Sequence, residues 1–167
     1  MRADRTGALP KSKIKSLNAL KKIIFNLKAK GRKIIFTNGC FDLLHYGHVK
    51  YLEDAKKYGD ILVVAINSDA SVKRIKGCAR PIVSQEDRAR IIAGLASVDY
   101  VVVFKEDTPL ATIKALKPDI IVKGADWGKD NIVGADFVAG YGGKVSRIKL
   151  VKGRSTTNLI KKVAKNF

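Results

Sequence analysis

The stretch Lys33–Asp60 reads KIIFTNGCFDLLHYGHVKYLEDAKKYGD. It opens on a β-branched, apolar run, Lys33–Thr37, and passes through a turn containing Gly39. It then becomes helical from Gly47 to Tyr58, where Gly59 stops it. A second apolar run, Ile61–Ile66, follows at once, so the segment reads as strand, helix, strand. Working outward, the same alternation continues through Tyr100–Phe104, Ile120–Lys123 and Lys144–Leu150. These runs are nearly continuously apolar, as strands covered on both faces of a parallel sheet must be. Helix punctuation lies between them. Ser84 with Asp87 forms a capping-box pattern before Ile91 and Ile92, Thr108 precedes Pro109 as cap and first helical residue, and Ser155 or Thr156 can cap a last helix running through Val163. The expected fold is α/β, a Rossmann-like doubly wound five-stranded parallel sheet in a single domain. Ligands of such sheets bind beyond the carboxyl ends of the strands, where strand order reverses. Chemistry is therefore expected in the loops 37–47, 67–78, 104–108, 123–131 and 151–156.

Composition narrows the classes. The 167 residues are 46% hydrophobic and 29% charged, which excludes a disordered or collagen-like chain. No apolar run reaches the length of a membrane-spanning helix, so no membrane is expected as a partner. Two cysteines, Cys40 and Cys78, are too few for a disulfide scaffold, and a reducing, cytoplasmic setting is expected. The net charge of +18 is confined to the ends: residues 1–33 carry 11 Lys and Arg against one acid, and residues 144–167 carry eight against none. The 14 basic and 14 acidic side chains between them cancel. A basic end attracts any polyanion, whether nucleic acid, an acidic surface or a phosphorylated small molecule. Residues 1–32 form a basic segment with one helix, expected from a cap at Ser12 to a stop at Gly31. In that helix Ile14, Leu17, Leu20, Ile24 and Leu27 recur at helical spacing.

The loop Thr37–His48 holds the chain's only two histidines, His45 and His48, with Gly47 between them. They stand at a helix entrance, where free N–H groups and the positive dipole end attract phosphate. Gly47 removes the side chain that would keep a phosphate from the backbone. Imidazoles placed there can follow charge as it builds up during group transfer. Two incidental capping histidines are the plain alternative. Nothing here reads as a Walker loop, and two histidines without further ligands make a poor metal site. The second loop places Asn67, Asp69, Lys73, Arg74 and Lys76 before Gly77, either as phosphate-gripping charge or as a solvated basic helix face. Arg88 reads as structural, and Arg80, before Pro81, could reach the site but is not counted among its residues. In the fourth loop Lys123, Gly124, Asp126 and Trp127 face substrate or serve packing. In the last, Gly153, Arg154, Ser155, Thr156 and Thr157 offer hydroxyls and N–H groups at a helix start.

The segment TNGCFDLLHYGHVKYLEDAKKYGD resembles the signature of the HxGH nucleotidyltransferases, which include cytidylyltransferases and the adenylyltransferases of ADP-heptose synthesis. The likeness runs on through VVAINSDASVKRIKG, RPI, DRARIIAGLASVDYVV, EDTP, KPDIIVKGADW and STTNLIKK, over residues 31–163. It is strongest toward the branch that adenylylates D-glycero-β-D-manno-heptose 1-phosphate. The resemblance implies a nucleotidyltransferase domain over 33–167 that uses ATP as substrate, with Mg²⁺, and joins AMP to a sugar 1-phosphate. It implies His45, His48 and Lys76 as catalytic residues. Nucleotide contacts would come from Thr37, Asn38, Gly39, Cys40, Phe41, His45, Gly47, His48, Gly153, Arg154, Ser155, Thr156 and Thr157. Substrate contacts would come from Asn67, Asp69, Lys73, Lys76, Lys123, Gly124, Asp126 and Trp127. Asp42 is the candidate to hold Mg²⁺, with a carboxylate capping the following turn as its alternative. The resemblance also implies a homo-oligomer and a separate heptose kinase upstream. A cytidylyltransferase acting on glycerol 3-phosphate, or an enzyme like FAD synthetase, would keep the same histidines. A nucleic-acid-binding module would need aromatics interleaved with Lys and Arg, and aromatics are only 7% of the chain.

Overall fold

The computed structural model describes residues 10–126, 128 and 131–166. Five parallel strands, β1 (Ile34–Gly39), β2 (Ile61–Asn67), β3 (Tyr100–Phe104), β4 (Ile120–Gly124) and β5 (Lys144–Ile148), form one sheet in the order β3-β2-β1-β4-β5. The expected five-stranded doubly wound sheet is the one observed. Strand order reverses between β1 and β4, where Ile35 pairs with Ile120 and Phe36 with Ile121. The crevice beyond the ends of these two strands is therefore the place for a ligand.

The helices are α1 (Pro10–Lys13), α2 (Leu17–Ala29), α3 (Tyr46–Lys56), α4 (Asp69–Lys76), α5 (Gln85–Ala93), α6 (Leu110–Leu116), α7 (Ala135–Ala139) and α8 (Thr156–Asn166). Successive strand residues point to opposite faces, so each strand feeds two cores. On one face Ile35, Leu62, Val64 and Ile66 pack with Leu52 of α3 and Ile92 of α5. On the other, Ile34, Phe36, Val63 and Ala65 pack with Leu20 and Ile24 of α2, Ile113 of α6 and Val138 of α7. Among the described residues no helix is long and apolar enough to cross a membrane.

Three local expectations need correction. The N-terminal helix does not start at Ser12. Residues 14–15 instead run beside the edge strand, with Ile14 bridged to Val101 and the Lys15 N–H donating to the Val101 carbonyl at 2.9 Å. The cap is Ser16, whose hydroxyl accepts from the Ala19 N–H at 3.3 Å. An edge strand with spare backbone groups outcompetes one more helical turn. At the far end Gly31 adopts φ +72° just past the helix, as a stop requires. The stretch 67–78, read as a loop, is mostly α4, capped by the Ser68 hydroxyl on the Ser71 N–H at 3.2 Å. Finally, Pro109 and not Thr108 stands at the cap of α6, with no side-chain cap bond; its carbonyl accepts from Ile113 at 2.9 Å.

Candidate active site

The loop leaving β1 turns sharply. Phe41 and Leu43 both have φ +48°, a left-handed conformation that side chains with a Cβ rarely adopt. The turn delivers His45 to the cap position of α3 and His48 to its first turn. The His45 carbonyl accepts from the N–H groups of His48 at 2.9 Å and Val49 at 3.3 Å, while its ring makes no cap bond. The ring stays available. The two imidazoles stack at 3.9 Å between centroids with 22° between planes, and the Phe41 ring meets His48 edge-on at 5.4 Å. A Cβ on Gly47 would come within 2.9 Å of the His45 ring and 3.1 Å of the Arg154 Cβ. Only glycine lets the histidine pair and the last loop close on each other here.

Burial pushes the His48 imidazole down to about 4, helped by the proximity of His45 and opposed by Asp42. Burial and then the Arg154 guanidinium also hold His45 below its ordinary value. Both rings are therefore neutral near neutral pH. Among the described residues three buried polar atoms, Asn38 Oδ1, His45 Nδ1 and His48 Nδ1, have no hydrogen-bond partner. Buried polar atoms are nearly always satisfied, so these atoms make the switch point the candidate ligand site.

The carboxyl end of β4 forms the opposite wall. Lys123 is 8% exposed, and its Nζ donates to the Asn38 carbonyl at 3.2 Å. Burial lowers this ammonium to about 8, against the attraction of Asp126 and Cys40. A Cβ on Gly124 would meet the Asp126 carboxylate and approach Leu150 within 3.1 Å, so glycine leaves these two side chains room to close on the strand end. Trp127 lies outside the described residues. Gly153, with φ +77°, turns the chain into α8. The Ser155 hydroxyl accepts from the Asn158 N–H at 3.2 Å and caps α8, while the Thr156 hydroxyl donates to the Asp42 carbonyl at 2.7 Å. Arg154 and Thr157 are exposed at this mouth.

Several candidate residues are instead consumed by the fold. Thr37 is buried, its hydroxyl 2.8 Å from that of Tyr51, which donates to the Val122 carbonyl at 3.0 Å. This chain pins β1, α3 and β4 together. Asn67 donates from Nδ2 to the Ser71 hydroxyl at 2.9 Å, and Asp69 accepts from Arg88 at 2.7 Å. Each side chain is held by a neighbour, Asn67 within the core and Asp69 at the surface, where it stays 36% exposed. Arg88 is 1% exposed and also donates to the carbonyls of Cys40 at 2.6 Å and Val83 at 3.0 Å, a structural role as expected. Lys73 and Lys76 are exposed on α4. Lys76 lies close enough that its charge acts on the Cys40 thiol, which burial nevertheless pushes up.

Asp42 does not fit a cation. Its side chain is fully enclosed, and its oxygens accept from Arg80 Nε at 2.6 Å, the Ile82 N–H at 3.0 Å and the Val83 N–H at 3.0 Å. The expected metal ligand is thus a turn-capping carboxylate paired with arginine. Among the described residues no group of three or more His, Cys, Asp and Glu is arranged to hold a metal ion. The partnership with Arg80 spans 38 residues, and no local pattern announces it.

Comparison with known proteins agrees with this geometry. A model of the cytidylyltransferase-like family matches residues 36–162. The bifunctional protein HldE of Geobacter metallireducens is 55% identical over 156 residues, which is 93% of this chain and 32% of that protein. The HldE of Magnetococcus marinus is 54% identical over 136 residues, covering 81% and 28%. The chain spans about a third of the length of these curated relatives. Among solved structures, the lipopolysaccharide core biosynthesis protein of Thermoplasma volcanium superposes with a TM-score of 0.63 at 34% identity, covering 73% of this chain and 100% of that one. Pantoate-beta-alanine ligase of Francisella tularensis, at TM-score 0.57 and 16% identity over 91% and 78%, shares the fold.

Proposed function

Since the chain belongs to the cytidylyltransferase-like family, we propose that it is an adenylyltransferase that joins AMP from ATP to D-glycero-β-D-manno-heptose 1-phosphate. The products are ADP-heptose and pyrophosphate. The observation that carries the reading is the cluster of unpartnered polar atoms on Asn38, His45 and His48, set beside a helix start at the strand-order reversal. The acceptor is supported by the sequence resemblance and by the solved relative of lipopolysaccharide core biosynthesis.

In the reaction a phosphate oxygen of the sugar phosphate attacks the α-phosphorus of ATP in line, and the bond to the β-phosphate bridging oxygen breaks. The nucleophile is already ionised near neutral pH, so no general base is needed; positioning and charge stabilisation suffice. His45 and His48 turn N–H donors toward the triphosphate. Because both rings start neutral, the arriving negative charge favours their protonated forms and strengthens those bonds as charge moves to pyrophosphate. Lys76, Lys73 and Arg154 add cationic charge at the rim, and the N–H groups at the start of α8 face phosphate. Lys123 reaches the acceptor side. Mg²⁺ enters as part of the MgATP substrate, because Asp42 is already taken. A separate kinase supplies the sugar 1-phosphate, and the enzyme works in the cytoplasm as a homo-oligomer.

The test is a matrix of ATP and CTP against heptose 1-phosphate, glycerol 3-phosphate and FMN, read by pyrophosphate release with and without Mg²⁺. Turnover is expected with ATP and heptose 1-phosphate. His45→Ala and His48→Ala should each lower kcat by about 10²-fold or more with folding intact by circular dichroism. Turnover with CTP and glycerol 3-phosphate instead would replace this reading.

A further inference from the structure

Asp42 sits between the two residues held at φ +48°, Phe41 and Leu43, at the base of the loop that carries both histidines. Its carboxylate ties that loop to the turn at 80–83 through Arg80, Ile82 and Val83. Its main-chain carbonyl receives the hydroxyl of Thr156, the first residue of α8. One residue thus joins three segments that are distant in sequence. Resting on the nucleotide-binding reading above, we propose that Asp42 is a positioning residue and not a cation ligand. It holds the histidine loop against the start of α8, the two segments that meet where the triphosphate would bind.

The chemistry favours this over metal binding. An ionised carboxylate has about four acceptor sites, and a guanidinium N–H and two backbone N–H groups occupy three of them. The side chain has no exposure to solvent, so a hydrated cation has no route to it. A cation arriving there would also stand against the Arg80 guanidinium. Burial alone would raise the Asp42 carboxyl, but the Ile82 and Val83 N–H groups and Arg80 outweigh it and hold the carboxylate ionised. The same bonds satisfy two backbone donors of the 80–83 turn. Phe41 is also held by its packing in the core, but without the clamp the disfavoured turn through Phe41 and Leu43 loses its polar anchor, and the histidine rings it aims would lose their stacked arrangement.

The experiment is calorimetric titration of ATP into wild type, Asp42→Asn, Arg80→Ala, the double variant, Thr156→Val and Thr156→Ser, each in EDTA and again in excess Mg²⁺. Running CTP in parallel keeps the test intact if the base is misassigned. The clamp predicts that Asp42→Asn weakens nucleotide about tenfold, the equivalent of one lost charge-assisted bond, equally with and without Mg²⁺. Arg80→Ala should do the same, and the double variant should be no worse than either single one, because both break one connection. Thr156→Val should weaken nucleotide in both buffers and Thr156→Ser should restore it; this arm stands even if Asp42→Asn does not fold. The proposal is overturned if Asp42→Asn leaves the EDTA titration unchanged and weakens only the Mg²⁺ titration. It also fails if Arg80→Ala tightens Mg²⁺-dependent binding, or if Thr156→Val has no effect. Because the readout is binding, nucleotide bound without transfer to heptose 1-phosphate would sink the proposed reaction and leave the clamp standing.

Discussion

His48 shows how a single side chain is prepared before any ligand arrives. Its ring is stacked on His45, meets the edge of Phe41 and has a buried Nδ1 with no partner, so the fold holds it in the neutral form. That arrangement has a thermodynamic signature of definite sign. With a folded value near 4 against 6.5 unfolded, the unfolded chain binds the proton first. The contribution is therefore fully present above about pH 6.5 and is lost as pH falls toward 4. Urea unfolding of the unliganded protein should show stability falling from pH 7 to pH 5, with up to about 2 kcal/mol traceable to this ring. His48→Gln should remove that portion of the slope. A slope unchanged by the substitution would mean that the ring titrates alike in the folded and unfolded protein. At this scale the sequence was informative about the histidines and Gly47, because their spacing at a helix start has few other uses. It was silent on the partners of Thr37, Asn67 and Asp69, whose polar groups look the same in a chain whether or not a neighbour bonds them.

At the scale of elements, the N-terminal helix is the clearest case of pattern giving packing. Leu20 and Ile24 recur at helical spacing and are 0% and 2% exposed against the second core, while their neighbour Phe25 is 74% exposed. Ile24→Ala should cost about 2–5 kcal/mol by opening a cavity, whereas Phe25→Ala should stay within about 0.5 kcal/mol of wild type. Denaturant midpoints of the two variants decide this, and equal losses would mean that α2 is not packed as described. The helix's start was not legible, because its first turn competes with an edge strand more than eighty residues away, and only the tertiary pairing of Lys15 with Val101 settles that contest. The strands were legible, since residues covered on both faces leave an unbroken apolar signal.

Over the whole molecule, charge and topology act together. The central residues are neutral and both ends are basic, and the C-terminal basic stretch carries Arg154 to the mouth of the site beside His45. That places a positive field where the two anionic substrates of the proposed reaction would enter. KM for ATP should rise several-fold between about 0.05 and 0.5 M salt as the field is screened, and Arg154→Ala should flatten that dependence. A salt response that Arg154→Ala leaves untouched would assign the steering to other cations. What the chain's order of residues determined without help was the alternation of strand and helix, hence the sheet and the end of it where ligands collect, together with the paired imidazoles. Those features rest on periodicity and on spacing within a dozen residues. What only the folded chain decided was which polar groups remain spare. Asp42 meets Arg80 across 38 residues and Thr156 across 114. A residue type declares how many hydrogen bonds it can make, but its partner is chosen by the packing that brings distant segments together.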